Sequence, residues 1–519
     1  MNESKQFSNV AMLRLAACLL GAYLALVSTG FGPNLADAHV FRQTQTAITA
    51  RYFSGLSDFL DYQTPVMGPP WSIPLEFPLY QALAKGLQVA SGISLETSGR
   101  LVSVVFFLLC FWPMHCLLRA WNVRETLWVM APVLLAPLYV FWSRAFMIET
   151  TALFFALLYL ALFVRVLRRS PRGSAADFLF LTVVGGLAVL TKITTALPLL
   201  LLTGGLTAWR ALRAVRQREP WAGLGELAIV QGVIVAVALA WVRHTDALKL
   251  LNPLGSQLTS GALRRWNFGS IEQRLDPAVW HTLAARTVDI FFPIPTHFSR
   301  LLILPLAVLV GGWLTLFVCF IVRCTLARRR QIAVLCGLFL LPFLLFVNLH
   351  VAHDYYQVAN GLFLCLAFGL AAYGAIENAP DARSATQTRR LYAVALLVLG
   401  LCSLWYMSHR SHYKSRLVNV SALVRQMSDQ NSTIVISGLD YSAELPYRAS
   451  RRALMLPDWI KSEIIATALA QLRASEVPVS LYVACGSRST AVDVQVREAF
   501  ALHGRQPLAY ADGCAVYPL

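Results

Sequence analysis

Long apolar runs divided by short arginine clusters constrain this chain more than any other feature. A helix needs about 20 apolar residues to cross the hydrocarbon core of a bilayer, and several runs reach that length. Only 14% of the 519 residues are charged, against roughly 25% in a soluble chain, so most of the chain does not face water. A net charge of +17 would otherwise suggest nucleic acid. The arginines, however, sit between apolar runs, where they orient spans. The expected partner is the lipid bilayer, with no nucleic acid.

Basic clusters occur at Arg119 and Arg124 and within residues 165–172, 210–218, 323–330 and 383–390. If each marks the cytoplasm, an even number of spans joins consecutive clusters. Residues 125–164 then hold two helices with an apex at Ser143-Arg144, and residues 331–382 hold two with an apex from His350 to Asp354. Residues 219–322 hold two helices and an outer loop, 244–300. The stretch 173–209 is tight: as helix it is roughly 55 Å long, whereas two crossings need about 60 Å. Its turn, Thr191-Lys192-Ile193-Thr194, is therefore expected at the membrane boundary.

The run 11–30 exceeds the roughly 7–15 residues of a signal-peptide core, although Ala36-Asp37-Ala38 resembles a cleavage site. It is read as a retained first helix running outward. Residues 101–118 return, leaving an outer loop 31–100, and a last helix near 391–406 runs outward. The expectation is an all-α polytopic membrane domain of about eleven transmembrane helices over 1–407, with no internal repeat.

The composition changes near Ser408. Residues 433–437 and 477–484 read as strands, 462–474 and 491–503 as helices, and 508–517 as a final strand, a pattern that predicts a small soluble α/β domain over 408–519. Eight of the ten cysteines lie in or beside apolar runs, where cysteine is usually a small buried hydrophobe. Cys485 and Cys514 are the two in this domain. In an oxidising compartment they are disulfide candidates, and two separate buried thiols are the alternative.

All the polar apices fall on one side of the membrane. The first outer loop opens with Asp37, His39, Arg42 and Gln43, at the start of what reads as an interfacial amphipathic helix. Asp37 is either its N-cap or a reactive carboxylate. Glu76 sits in an apolar, proline-rich stretch, either as a helix-start carboxylate or with a partner. Arg144 and Glu149 flank the next apex. Lys192 either snorkels or binds an anion, and the shortness of its hairpin favours the anion. His350, His353 and Asp354, followed by Tyr355 and Tyr356, could join Asp37 around a divalent metal. A hydrogen-bonded apex is the simpler reading, and no metal is assigned.

Together these residues resemble the bacterial branch of the glycosyltransferase C superfold, which includes the lipid A aminoarabinose transferase and is related to the protein O-mannosyltransferases. The resemblance covers roughly residues 10–375. It rests on Asp37 followed by Arg42-Gln43, the Glu-Phe-Pro-Leu-Tyr stretch from Glu76 to Tyr80, Ser143-Arg144 with Glu149, Leu190-Thr191-Lys192, and His353-Asp354-Tyr355-Tyr356. It implies a sugar donor on a polyprenyl phosphate and a first-loop carboxylate acting as base. It also implies a bacterial inner-membrane protein, for which the basic clusters and eleven spans place the N-terminus in the cytoplasm and the C-terminal domain outside, in the periplasm. Many relatives carry two acidic residues in the first-loop motif, where this chain has Asp37 and then His39, which leaves metal dependence open. The C-terminal domain resembles nothing known to us.

The chemistry suits the residues. An acceptor hydroxyl attacking the sugar needs a general base, which Asp37 can supply. The leaving phosphate needs positive charge, which Lys192, Arg144 and Arg42 can supply. His39, Gln43, Glu76, Glu149, His353, Asp354, Tyr355 and Tyr356 are expected to support the substrates. The acceptor is a glycan, lipid or protein. A single displacement of this kind inverts the anomeric centre. The rival readings are a transporter or flippase of a lipid-linked sugar, and a non-catalytic cell-envelope assembly protein. The orientation has a direct test. A phosphatase fused after Leu519 should be active in a bacterial host, and an inactive phosphatase beside an active cytoplasmic reporter would overturn it.

Overall fold

The computed structural model describes residues 9–29, 31–32, 35, 37–55, 57–169, 174–218, 223–293, 303–410, 416–486 and 490–519. Helices stand at each of the eleven predicted spans. Six are long and apolar enough to cross a membrane: Leu95–Ala120, Glu149–Arg168, Ile193–Gln217, Leu224–Leu250, Leu304–Arg323 and Ala382–His409. Four shorter apolar helices accompany them, Arg14–Ser28, Thr126–Leu135, Ala175–Thr191 and Gly361–Glu377, and Leu326–Leu345 starts among arginines. Thr126–Leu135 is short because Pro137 cannot continue a helix; the chain breaks at Ala136 and resumes as Pro137–Trp142. This is a multi-pass membrane protein.

The Gly361–Glu377 helix is buried nearly all round, as expected of a helix apolar on every side. Gly369 lets it approach Thr126–Leu135 closely: a Cβ there would lie 2.1 Å from the Val129 carbonyl oxygen. Trp313 stacks on its Phe368 at 4.1 Å. Leu304 and Leu397, by contrast, are exposed on the bundle's outside, where lipid would cover them.

The hairpin at Lys192 is tighter than two helices and a loop. Lys192 alone joins Ala175–Thr191 to Ile193–Gln217, in extended conformation. The expected outer loop 244–300 begins later than predicted, because the apolar residues Ala247, Leu248 and Leu250 carry the preceding helix on to Leu250. Three helices, Arg264–Phe268, Ile271–Leu275 and Pro277–Phe291, fill much of the rest. Residues 294–300 of that loop, and Ala36 of the cleavage-like sequence, lie outside the described residues.

The C-terminal domain holds a five-stranded sheet: β1 (Thr433–Ser437), β2 (Arg452–Leu456), β3 (Val479–Cys485), β4 (Ala509–Ala511) and β5 (Cys514–Pro518). The spatial order is β2-β1-β3-β5-β4. β1 runs parallel to both neighbours, and β5 runs antiparallel to β3 and β4. β1 is buried along its whole length, as parallel strands covered on both faces are. The single final strand predicted over 508–517 is instead a hairpin. Asp512 and Gly513 both have φ > 0, the conformation that closes a two-residue turn. β2 was not predicted at all. Cys485 and Cys514 face each other across β3 and β5 and are bonded, with an S–S distance of 2.03 Å.

This domain is clamped onto the first loop. Along the free edge of β2, the amides of Ala453 and Met455 donate to the carbonyls of Pro65 and Val66, so loop backbone satisfies the strand edge. The Asn252 amide donates to the carbonyls of Met67 and Gly68 at 3.0 and 3.1 Å, fixing the same stretch from the far side. One apolar cluster runs through both parts, from Val66 and Ile73 to Ile434 and Leu454.

Candidate functional site

The helix Val40–Arg51 lies between the bundle and the C-terminal domain, and this corrects the expectation of an interfacial amphipathic helix. Gln43, Thr44 and Thr46 are buried and Phe41 is exposed, the reverse of a membrane-surface arrangement. Nor does Asp37 cap it: the N-cap is His39, in left-handed conformation and without a side-chain cap. That turn carries Asp37 away from the helix and down onto the bundle.

Asp37 is buried there between two guanidiniums. Its Oδ2 accepts from Arg144 at 2.6 Å and Arg100 at 3.1 Å, and its Oδ1 accepts from the Gln43 amide at 2.7 Å. Arg144 is 0% exposed and Arg100 1%. Burial alone would raise the Asp37 pKa, but the two guanidiniums outweigh it and hold the carboxyl below its usual range. The Gln43 carbonyl oxygen accepts from the Phe146 amide at 3.0 Å, tying the helix to the Ser143-Arg144 apex. Arg100 was not anticipated. It stands one residue before the predicted second span; a lone arginine at the head of an apolar run was the available signal.

Around this carboxylate, the other singled-out residues pair off. His39 Nε2 lies 2.8 Å from Asp354 Oδ1. Arg42 pairs with Glu76. Lys192 donates to Glu149 Oε1 at 2.6 Å and sits 4.2 Å from the centre of the Tyr356 ring. Tyr355 joins two of these pairs, with its ring 5.5 Å from His39 and 5.4 Å from the Lys192 amine. His353 stacks on Tyr355. Burial, and then the neighbouring His39, push the His353 pKa down to about 4, so it is neutral at pH 7. Burial pushes the Tyr356 phenol up to about 12, leaving it a hydrogen-bond donor.

Two expectations change. Arg144, expected at the donor phosphate, is enclosed and bonded to Asp37. Lys192 has a protein counter-ion, Glu149, 43 residues away in sequence. The possible ligands His350, His353, Asp354 and Asp37 are not gathered either, since Asp37 faces arginines and Asp354 faces His39. Among the described residues no group of three or more His, Cys, Asp or Glu is placed to hold a metal ion. Partly exposed are the side chains of His39 at 29%, Arg42 at 20%, Glu76 at 12%, Asp354 at 11% and Lys192 at 9%, and His353 and Tyr356 are half-buried beside them. They form the surface a substrate would meet.

The Lys192–Glu149 pair makes a prediction about stability. Removing one partner of a buried pair strands the other charge, at a cost of about 3–5 kcal/mol, whereas replacing both with neutral groups is often close to neutral. Lys192→Met should therefore lower the thermal unfolding temperature in detergent clearly, and adding Glu149→Gln should restore most of it. Equal stability of all three proteins would show that the pair is not enclosed as described.

In sequence, no protein-family model and no curated protein matches the chain. Solved structures do match in shape. ArnT from Cupriavidus metallidurans, bound to undecaprenyl phosphate, superposes with a TM-score of 0.61 at 12% identity, over 97% of this chain and 98% of that one. The archaeal oligosaccharyltransferase AglB from Archaeoglobus fulgidus, in complex with an inhibitory peptide and a dolichol-phosphate, matches with a TM-score of 0.53 at 12% identity, over 93% of this chain and 71% of that one. The mycobacterial arabinofuranosyltransferase AftD matches with a TM-score of 0.51 at 14% identity, over 99% of this chain and 40% of that one. The chain has the glycosyltransferase C fold, with a small α/β domain after its last span.

Proposed function

We propose that this protein transfers a sugar from a polyprenyl-phosphate donor to an acceptor hydroxyl at the membrane face that carries the C-terminal domain, which we take to be the outer face. The observation that carries the proposal is that the same face holds a buried carboxylate, Asp37, the partly exposed Arg42, and Lys192, whose amine is paired and whose side chain keeps 9% exposure. The fold is shared with ArnT and AglB, whose structures hold undecaprenyl phosphate and a dolichol-phosphate.

An apolar groove of about 410 Å³ lined by Trp280, Phe291, Trp313, Phe317, Phe343 and Phe368 is where we place part of the donor's isoprenoid tail. One lining residue, Phe343, packs edge-on against the His350 ring of the apex, with centroids 4.8 Å apart. In this reading the phosphate meets Lys192 and Arg42, which stabilise its charge as it leaves. The acceptor oxygen forms a bond to the sugar C1 as the C1–O bond to phosphate breaks, with inversion. The acceptor proton passes to Asp37, and the phosphate departs on its lipid. Arg100 and Arg144 position Asp37; holding its pKa down weakens it as a base but keeps it ionised to receive the proton.

One observation favours a second assignment of the base. His39 is more exposed than Asp37, and its Nε2 is held by Asp354 at 2.8 Å. A carboxylate at that distance can orient an imidazole as an ion-pair partner, which would leave Nδ1 to accept the proton. A transporter is less well supported, since the polar groups lie at one face, whereas transporter sites lie near the midplane.

Two variants separate these assignments, with polyprenyl-phosphate sugar and purified protein in proteoliposomes. A positioned base contributes about 10²–10⁴-fold. With Asp37 as base, Asp37→Asn loses that much turnover while His39→Gln stays within about tenfold of wild type. The reverse order moves the role to His39 and Asp354. Because Asn also leaves Arg100 and Arg144 without their counter-charge, polyprenyl-phosphate binding by Asp37→Asn is measured alongside and should persist. Wild-type protein that releases no polyprenyl phosphate from any such donor would overturn the proposal.

A further inference from the structure

The helix Val40–Arg51 has two working faces. Gln43 reaches Asp37. Thr44 and Arg51, seven residues apart and so on one side of the helix, line a separate cavity of about 320 Å³ against the C-terminal domain. That volume is at the small end of the roughly 300–1,000 Å³ of ligand sites. Its lining mixes apolar side chains such as Leu35 and Val418 with polar ones: Arg51 and Glu96 come from the membrane domain, and Ser421, Arg425, Tyr447 and Arg448 from the C-terminal domain.

The charges there do not cancel. Arg51 faces Glu96 at 3.8 Å and also donates to the Tyr447 carbonyl and the Ser450 hydroxyl. Arg448 donates to Glu444 at 3.1 Å. The Arg425 guanidinium makes no hydrogen bond or ion pair with a described residue, and only its backbone carbonyl is engaged, by Arg451. The cavity therefore carries one guanidinium without a carboxylate partner, beside the Ser421 and Tyr447 hydroxyls, which donate to Leu417 and Glu96 and whose oxygens can still accept from a sugar. Guanidinium forks match carboxylate and phosphate, and Leu35, two residues before Asp37, also lines the cavity.

We propose that this cavity binds a negatively charged sugar and thereby anchors an acidic acceptor glycan, with the C-terminal domain supplying half of the site. The acceptor role rests on the transfer reading above; the binding of an anion does not. The shared chemistry is an anionic group on a sugar, either a carboxylate or a phosphate ester.

The test is equilibrium binding of glucuronate, glucose 1-phosphate and neutral glucose to the full-length protein in nanodiscs. Turnover is not needed, so failure here is distinct from failure of the transfer reaction. At least one anionic sugar should bind ten times or more tighter than glucose, and weaken as salt is raised. Tighter glucuronate points to a uronic-acid acceptor, and tighter glucose 1-phosphate to a phosphorylated one. Arg425→Glu, at an exposed position, should lose at least tenfold for the anion while polyprenyl-phosphate binding is unchanged, and Arg425→Lys should keep most of it. Equal binding of glucose and both anions, undetectable anion binding, or an unchanged affinity in Arg425→Glu would each overturn the proposal.

Discussion

The buried ion cluster of Asp37, Arg100 and Arg144 is the constraint on which the rest of the face depends. Its members come from the first loop, the start of the second span and the apex between the third and fourth. An enclosed guanidinium costs several kcal/mol to desolvate, and leaving one without its counter-charge costs about 3–5 kcal/mol. Three distant segments must therefore meet in one arrangement. Once Asp37 is held, the left-handed turn at His39 directs the following helix, and Gln43 locks that helix to the apex. The same turn leaves His39 against Asp354 and Arg42 against Glu76. A buried ionic cluster is weak evidence of net stabilisation. Here we read it as a positioning device.

The C-terminal domain extends this logic. It covers the outer side of the Val40–Arg51 helix and takes the loop backbone at Pro65 and Val66 onto the edge of β2. The loop that carries Asp37 is thus held by side-chain charges below and by main-chain hydrogen bonds above. A domain docked this way contributes to the geometry of the site as well as to the cavity beside it.

The spans were legible because bilayer thickness sets helix length and arginines mark one side, so the apices at Arg144, Lys192 and His353 could be placed from sequence. Their partners were harder to read. Lys192 and Glu149 are 43 residues apart, and nothing local to Lys192 announces an acid. Arg100 stands one residue before the predicted second span, outside every basic cluster, and no local pattern marks it as a partner of Asp37. The amphipathic reading of residues 41–48 failed because burial under a second domain turns polar residues inward, where Asp37 and Phe146 satisfy Gln43. The pairing of residues 65–66 with β2 runs through backbone atoms alone, which leave no side-chain pattern, and β2 itself, Arg-Ala-Leu-Met-Leu, lacks the β-branched residues that mark β1 as a strand.

The central claim is that these paired charges serve sugar transfer from a lipid phosphate. Mass spectrometry of lipid-linked intermediates and surface glycans, in cells with the protein, without it, and with Asp37→Asn in its place, tests it most directly. The account predicts that a polyprenyl-phosphate sugar accumulates without the protein and that one sugar disappears from a surface glycan, with Asp37→Asn matching the deletion. Lipid intermediates and glycans identical in all three strains would contradict it.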